Sequence, residues 1–168
     1  MHRTVFWTAQ EECLISDAIN LTTFAANPET SMPLKNSFKL AGISNISVAI
    51  ANFAGDTTEK KHLEVKLSEA VTRHISKVLP GHPIQIIFDI DGQIIIFHVM
   101  DTIAGSKSKT VNQRSEGFKQ FISFLLTVSA EYSNEELNNC LLLLSEPETH
   151  LHPQAQEYFL DELKKDYD

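Results

Sequence analysis

Hydrophobic positions recur at helical spacing in two stretches of this chain. After Asp56 the core-facing positions fall at three- and four-residue steps, which predicts a long amphipathic helix: Leu63, Leu67, Ala70, Val71, His74 and Val78. Asp56 and Glu59 resemble a capping box at its start, and Pro80-Gly81 ends it. A second amphipathic helix is predicted from Ser115, with one apolar face: Phe118, Phe121, Ile122, Leu125 and Val128.

Three other stretches have the pattern of β-strands. Residues 84–100 form two β-branched runs on either side of Asp91-Gly92, a pair typical of a tight hairpin turn. Residues 3–8 read as a short strand. Residues 141–144 are four leucines, and such an unbroken apolar run predicts a strand covered on both faces, as in a parallel sheet.

Shorter signals complete the expected order of elements. Ser31 is an N-cap candidate for a short helix from Pro33 to Ala41. Residues 101–113 are polar and are expected to form a loop, and a final helix is expected from Pro153 to Lys165. The pattern therefore predicts an α/β fold with an antiparallel hairpin and flanking helices.

Composition limits the class of protein. The chain has 168 residues, of which 42% are hydrophobic and 21% charged, so we expect a single soluble domain over residues 1–168. No apolar run approaches the roughly 18 residues that a membrane span needs, and the N-terminus lacks the apolar core of a signal peptide. Cys13 and Cys140 are far apart, which favours a reduced, cytoplasmic setting.

The charge distribution bears on possible partners. A formal net charge of −8 argues against a nucleic-acid footprint over the whole surface. A locally basic segment contains Lys107, Lys109, Arg114 and Lys119. It is either a solvated loop or a segment that attracts phosphate groups.

Carboxylates follow the leucine run directly. Glu146 and Glu148 lie in the segment Ser-Glu-Pro-Glu that ends this strand. In open α/β sheets ligands bind beyond the carboxyl ends of the strands, so Glu146 is a candidate catalytic residue. The alternative is a glutamate that simply faces solvent at the end of a strand.

Two motifs together resemble a known family. The segment 141–153, LLLLSEPETHLHP, resembles the Walker B strand and following loop of ATP-binding-cassette-type AAA ATPases. The similarity is to the DNA-repair and anti-phage branch, called overcoming-lysogenization-defect-like. About thirty residues upstream, the segment 113–120, QRSEGFKQ, resembles that family's signature motif, a Ser-x-Gly at a helix start. The order of signature, helix and Walker B strand also matches.

The resemblance implies roles for particular residues. Glu146 would polarise the water that attacks the γ-phosphate, while Arg114, Ser115 and Gly117 would contact the γ-phosphate of ATP bound by the partner in a dimer. His152 matches the Leu-His-Pro of the loop near the dimer seam. Ser145 stands where the family usually has aspartate near Mg²⁺, and its uncharged hydroxyl is a weak metal ligand.

The sequence departs from the family pattern at the phosphate-binding loop. Gly-x-x-x-x-Gly-Lys-Ser/Thr does not occur, because no two of the six glycines are five residues apart and none precedes a lysine: Gly42, Gly55, Gly81, Gly92, Gly105 and Gly117. We therefore expect an incomplete ATPase head with a partial ATP-binding-cassette-like sheet. It would carry a signature-like motif at 113–120 and a Walker B-like strand at 141–148, with ATP and Mg²⁺ as implied cofactors.

Three functions are compatible with these features. The first is part of an ATPase head of the DNA-repair or phage-defence type, inactive alone, with a homodimeric head and a nuclease and DNA as further partners of the full protein. The second is a non-hydrolysing interaction module that kept the ATPase fold, which Ser145 favours. The third is a small metal-dependent hydrolase that uses His150 and His152 with Glu146 and Glu148.

Overall fold

The fold is described by a computed structural model. It covers residues 3–53, 55–78, 83–102, 109–110, 116–129, 140–145 and 156–157. The strands are β1 (Arg3–Trp7), β2 (Ala18–Asn20), β3 (Ile84–Asp91), β4 (Ile94–Asp101), β5 (Lys109–Thr110) and β6 (Cys140–Leu144). The helices are α1 (Leu21–Ala26), α2 (Met32–Leu40), α3 (Ile46–Asn52), α4 (Thr57–Val78) and α5 (Glu116–Phe124), which continues as a π-helical turn, Leu125–Ser129.

The described strands form two separate sheets. In the antiparallel sheet β4 is central, with β3 on one edge and both β2 and β5 on the other. The second sheet pairs β1 with β6 in parallel. The predicted α/β class with an antiparallel hairpin and flanking helices is confirmed.

The hairpin is formed by β3 and β4, as the alternating pattern predicted. Phe88 lies opposite Phe97, and their rings meet edge to face with centroids 4.9 Å apart. The predicted turn pair is wrong by one residue, because Asp91 still pairs with Ile94 and the loop consists of Gly92 and Gln93. Gly92 has φ +57°, which a glycine adopts without the steric cost other residues bear.

Helix α4 begins and packs as its spacing predicted. The Asp56 carboxylate accepts hydrogen bonds from the backbone N–H groups of Thr58 at 2.8 Å and Glu59 at 3.2 Å. All six predicted core-facing positions are buried. The helix lies along the outer edge of β3, where it makes most of its contacts with the sheet.

The leucine run forms β6, but it is not covered on both faces. β6 pairs with β1 from Arg3–Cys140 to Trp7–Leu144. The prediction of complete burial is wrong at Leu143, which is 44% exposed. Parallel sheets are normally buried on both sides, so the exposure of Leu143 departs from the usual pattern.

Asparagines start two of the helices near the N-terminus. Asn20 caps α1 by accepting from the Thr23 N–H at 3.0 Å, and Asn45 caps α3 by accepting from the Val48 N–H at 3.1 Å. The short helix expected from Pro33 to Ala41 is α2, although Ser31 makes no side-chain capping hydrogen bond. Helix α3 has no counterpart among the sequence predictions.

The remaining sequence predictions are met in part or lie beyond the described residues. The polar loop expected over residues 101–113 contains strand β5. The end of α4 at Pro80-Gly81 and most of the helix expected from Pro153 to Lys165 lie outside the described residues; Gln156 and Glu157 are helical. One buried core joins β1, β3 and β4 with helices α1–α5.

Candidate functional site

The end of β6 is the described part of the predicted ATPase site. Ser145 follows Leu144 directly and is exposed. Its backbone N–H donates to the Trp7 carbonyl at 3.0 Å, which extends the parallel pairing by one bond beyond the strand. The end of β1 therefore fixes the backbone of Ser145.

Trp7 connects this strand end to α5. Its side chain is buried and meets the Phe124 ring edge to face, with centroids 5.3 Å apart. Phe124 is the last residue of α5, the helix that opens with the signature-like motif. The helix that carries part of the signature-like motif therefore packs on β1, which is the strand that pairs with β6.

The start of α5 lies away from this contact. Gly117 is the second residue of α5 and is buried. At 1.5 Å of rise per residue, Gly117 and Phe124 are separated by about 10 Å along the helix. In general, the unpaired N–H groups of a helix start favour anions.

The other end of α5 widens into a π-helical turn for a local reason. The hydroxyls of Ser123 and Thr127 donate to backbone carbonyls one turn earlier, at Lys119 (2.6 Å) and Ser123 (2.8 Å). Such bonds compete with the regular helical ladder. π-Helical turns occur frequently at functional sites.

Two side chains from other helices hold this turn. Asn36 of α2 is 1% exposed, and its amide donates to the carbonyls of Leu126 at 2.9 Å and Thr127 at 3.2 Å. His74 of α4 hydrogen-bonds the backbone of Leu125. Burial lowers the pKa of His74, the bond to Leu125 opposes that shift, and the positive charge of Lys77 adds to it. His74 is thus neutral near pH 7.

Two buried polar atoms near the Trp7 contact have no hydrogen-bond partner among the described residues. They are the indole N–H of Trp7 and the amide oxygen of Gln120. Gln120 lies one helical turn before Phe124 and shares its face of α5. The contact between α5 and β1 is consequently not a purely apolar one.

Most predicted site residues lie outside the described part of the chain. These are Glu146, Arg114, Ser115 and His152, together with Glu148 and His150. Of the predicted set, the structure places Ser145 at the strand end and Gly117 in the first turn of α5.

Among the described residues, no group of three or more His, Cys, Asp or Glu side chains could hold a metal ion. Ser145 offers one neutral hydroxyl, whereas Mg²⁺ is bound in proteins through carboxylates. The described donors alone therefore do not fit a magnesium site.

A second feature, which sequence reasoning missed, closes the edge of β3. Three side chains of α4 at four-residue steps bind successive outward N–H groups: Glu64 binds Ile90 at 2.8 Å, Ser68 binds Phe88 at 2.9 Å and Thr72 binds Ile86 at 2.9 Å. Lys61 pairs with the second Glu64 oxygen at 3.0 Å. The signal was present in the sequence as polar residues beside the apolar stripe of α4.

A groove of about 480 Å³ runs beside this closed edge. Its walls include Val65 and Arg73 of α4, and its floor includes Ile87 of β3. The groove is far in sequence from both motifs of the ATPase site.

Comparison with known proteins identifies the family. Residues 21–166 match the AAA ATPase domain, so the chain belongs to that family. Members of the family in general use ATP and Mg²⁺. This confirms the ATPase-type part of the sequence prediction.

One relative is an uncharacterized protein of Methanocaldococcus jannaschii. It is 41% identical over 61 residues, which is 32% of this chain and 15% of the relative. The chain thus matches only a small share of that protein's length. No solved structure matches the chain significantly. Among the described helices, none has the length and apolarity needed to cross a membrane.

Proposed function

We propose that this chain is an incomplete ATP-binding head that contributes the signature and Walker B elements of a DNA-repair or phage-defence type ATPase. The observation that carries the proposal is the parallel strand β6, which ends at the exposed Ser145 just before Glu146. Membership of the AAA ATPase domain family supports it. The nuclease, DNA and cytoplasmic setting expected of the full protein belong to the same proposal.

In this proposal the two ends of the site serve different molecules of ATP. Glu146 acts as general base for the water that attacks the ATP on its own head. Ser115, Arg114 and the helix-start amides near Gly117 donate to phosphate bound by a partner head. Gly117 lies about 10 Å along α5 from the end of the helix that contacts Trp7. This separation supports the division, because a ligand bound beside Ser145 does not have to reach the start of α5 as well. His152 lies in the loop expected near the dimer seam.

ATP binding by the isolated chain is the first test. Without a phosphate-binding loop, titration calorimetry with Mg²⁺ and millimolar ATP should give no binding. Micromolar, magnesium-dependent binding would contradict the incomplete-head proposal.

Hydrolysis by the complete ATPase that carries these elements is the second test. Glu146→Gln should lower kcat by about 100-fold or more while leaving ATP binding intact, since one general base contributes about 10²- to 10⁴-fold. Glu148→Gln is the matched control and should retain most activity. Equal losses in the two variants would argue against the assigned base.

The alternative function is a non-hydrolysing interaction module. The neutral hydroxyl at Ser145 favours it, because that position brings no charge to a divalent cation. Ser145→Asp in the complete protein separates the two functions. A large gain in hydrolysis would support a decayed site, and robust hydrolysis with serine in place would support a working enzyme.

A further inference from the structure

The outer side of the antiparallel sheet carries a group of apolar residues among polar ones. Inward and outward positions alternate along β3, where Ile86, Phe88 and Ile90 are buried. Residues directly opposite each other share a face, so the register places Ile96 beside Asp89 on the outer side. Of the eight outward positions on β3 and β4, four are apolar and half-buried and four are polar: Ile87, Ile94, Ile96 and Met100 against Gln85, Asp89, Asp91 and His98.

Helix α4 extends this apolar surface. Val65 is 42% exposed and lines the same groove as Ile87. An antiparallel sheet that faces water normally carries polar residues on its outer side. Contiguous exposed apolar patches mark interaction sites. We call the surface formed by Val65, Ile87, Ile94, Ile96 and Met100 the isoleucine face.

Charges at the two ends of this face have opposite sign. Arg73 lies on the groove wall next to Thr72, whose hydroxyl binds Ile86 near the start of β3. Asp89 and Asp91 are exposed at the other end, beside the hairpin loop. Lys61 pairs with Glu64 and also interacts electrostatically with Asp89, and Glu69 also lines the groove.

We propose that the isoleucine face binds a second copy of this chain in an antiparallel, two-fold arrangement. Under such symmetry the same patch is used on both copies, so the Arg73 end of one copy meets the Asp91 end of the other twice. This inference does not depend on the proposed ATPase function.

The size of the face sets the expected strength of binding. Eight-residue strands are about 26 Å long, and the sheet with α4 is about 24 Å wide, so each copy offers on the order of 600 Å². Stable interfaces bury about 800 Å² per partner. The dimer should therefore be weak, with a Kd on the order of tens to hundreds of micromolar.

Sedimentation velocity between about 5 and 300 µM tests the proposal in buffer without nucleotide. The wild-type chain should show a concentration-dependent monomer–dimer equilibrium. Ile96→Lys should weaken it by about 30-fold or more, because a buried unpaired charge opposes association. Val48→Lys is the control, since Val48 is 51% exposed on α3, outside the isoleucine face.

Charge reversal tests the antiparallel arrangement without touching apolar residues. Arg73→Glu and Asp91→Lys should each weaken the dimer by about tenfold, since like charges then oppose. The double variant should have a dimer Kd within about threefold of the wild-type value. Far-UV circular dichroism verifies that each variant is folded.

A chain that stays monomeric at every concentration would overturn the proposal. So would a dimer that Ile96→Lys leaves intact, because another surface would then carry the association. If both single charge reversals weaken the dimer and the double variant does not restore its affinity, the antiparallel arrangement is excluded.

Discussion

The antiparallel sheet and the parallel pair differ in how completely this chain covers them. On the antiparallel side, α4 packs along β3 and satisfies its outward N–H groups with Glu64, Ser68 and Thr72. On the parallel side, β1 and β6 pair only with each other among the described strands, and Leu143 is exposed. The Walker B-like strand β6 belongs to the less covered side.

The difference suggests a division of labour within the fold. An exposed strand edge is a template for unwanted pairing, and α4 removes that risk from β3. Among the described residues the parallel pair leaves Leu143 exposed, although parallel sheets are normally covered on both faces. We therefore interpret the antiparallel side as the structural support of the fold.

Asn36→Asp should have the largest effect, because Asn36 holds the π-helical turn behind the parallel side. The change replaces an amide that donates to two buried carbonyls with a carboxylate that cannot donate. We expect a loss of about 3–5 kcal/mol in the free energy of unfolding, measured by urea denaturation. The control is Asn52→Asp, at an exposed position at the end of α3. Similar losses of stability in the two variants would contradict the role assigned to Asn36.

Glu64→Leu tests how much the closed edge of β3 contributes. Glu64 is 3% exposed, and its replacement leaves the Ile90 N–H without its acceptor. A loss of about 3 kcal/mol in urea denaturation is expected. Glu69→Leu on the exposed side of α4 should change stability by less than about 0.5 kcal/mol. If Glu64→Leu leaves the free energy of unfolding unchanged, the N–H groups at the edge of β3 find another hydrogen-bond acceptor.

His74→Gln tests the link between α4 and the π-helical turn through pH. Burial holds the pKa of His74 below its ordinary 6.5, so the unfolded chain binds a proton more readily. Stability should then fall as pH drops below about 6.5, by at most about 1.4 kcal/mol per pH unit for one proton.

The measurement compares urea denaturation at pH 7.5 and 5.5. Wild type should lose more stability than His74→Gln between these values. His62→Gln removes an exposed histidine from the same helix and serves as the control. If the His74→Gln variant loses as much stability as wild type between the two pH values, another group causes the pH dependence.

Leu143→Ala should have the smallest effect, because the uncovered face of β6 has little burial to lose. We expect a change of less than about 0.5 kcal/mol. Leu126→Ala, at a fully buried leucine of the π-helical turn, should cost about 2–5 kcal/mol. Comparable losses at both positions would mean that Leu143 is covered in solution.

Local patterns predicted much of the fold. The β3–β4 hairpin, the start and buried face of α4, and strand β6 follow from alternation, helical spacing and an apolar run. Helix α3 was missed although Asn45 and the spacing of Ile46, Ala49, Ile50 and Phe53 gave a signal.

Features that depend on distant residues could not be predicted in this way. The pairing of β6 with β1 joins opposite ends of the chain, and Asn36 reaches a turn 90 residues away. Exposure of Leu143 depends on what packs against the sheet, which an apolar run does not specify. Of the candidate site, the structure describes Ser145 and Gly117, and the roles of Glu146, Arg114, Ser115 and His152 stay predictions.

Trp7 is the chain's single tryptophan, and it is buried where β1, β6 and α5 meet. Its fluorescence emission therefore reports on this junction and not on the distant hairpin. Any molecule that completes the parallel side could be followed by the intrinsic optical signal of the protein, without a label.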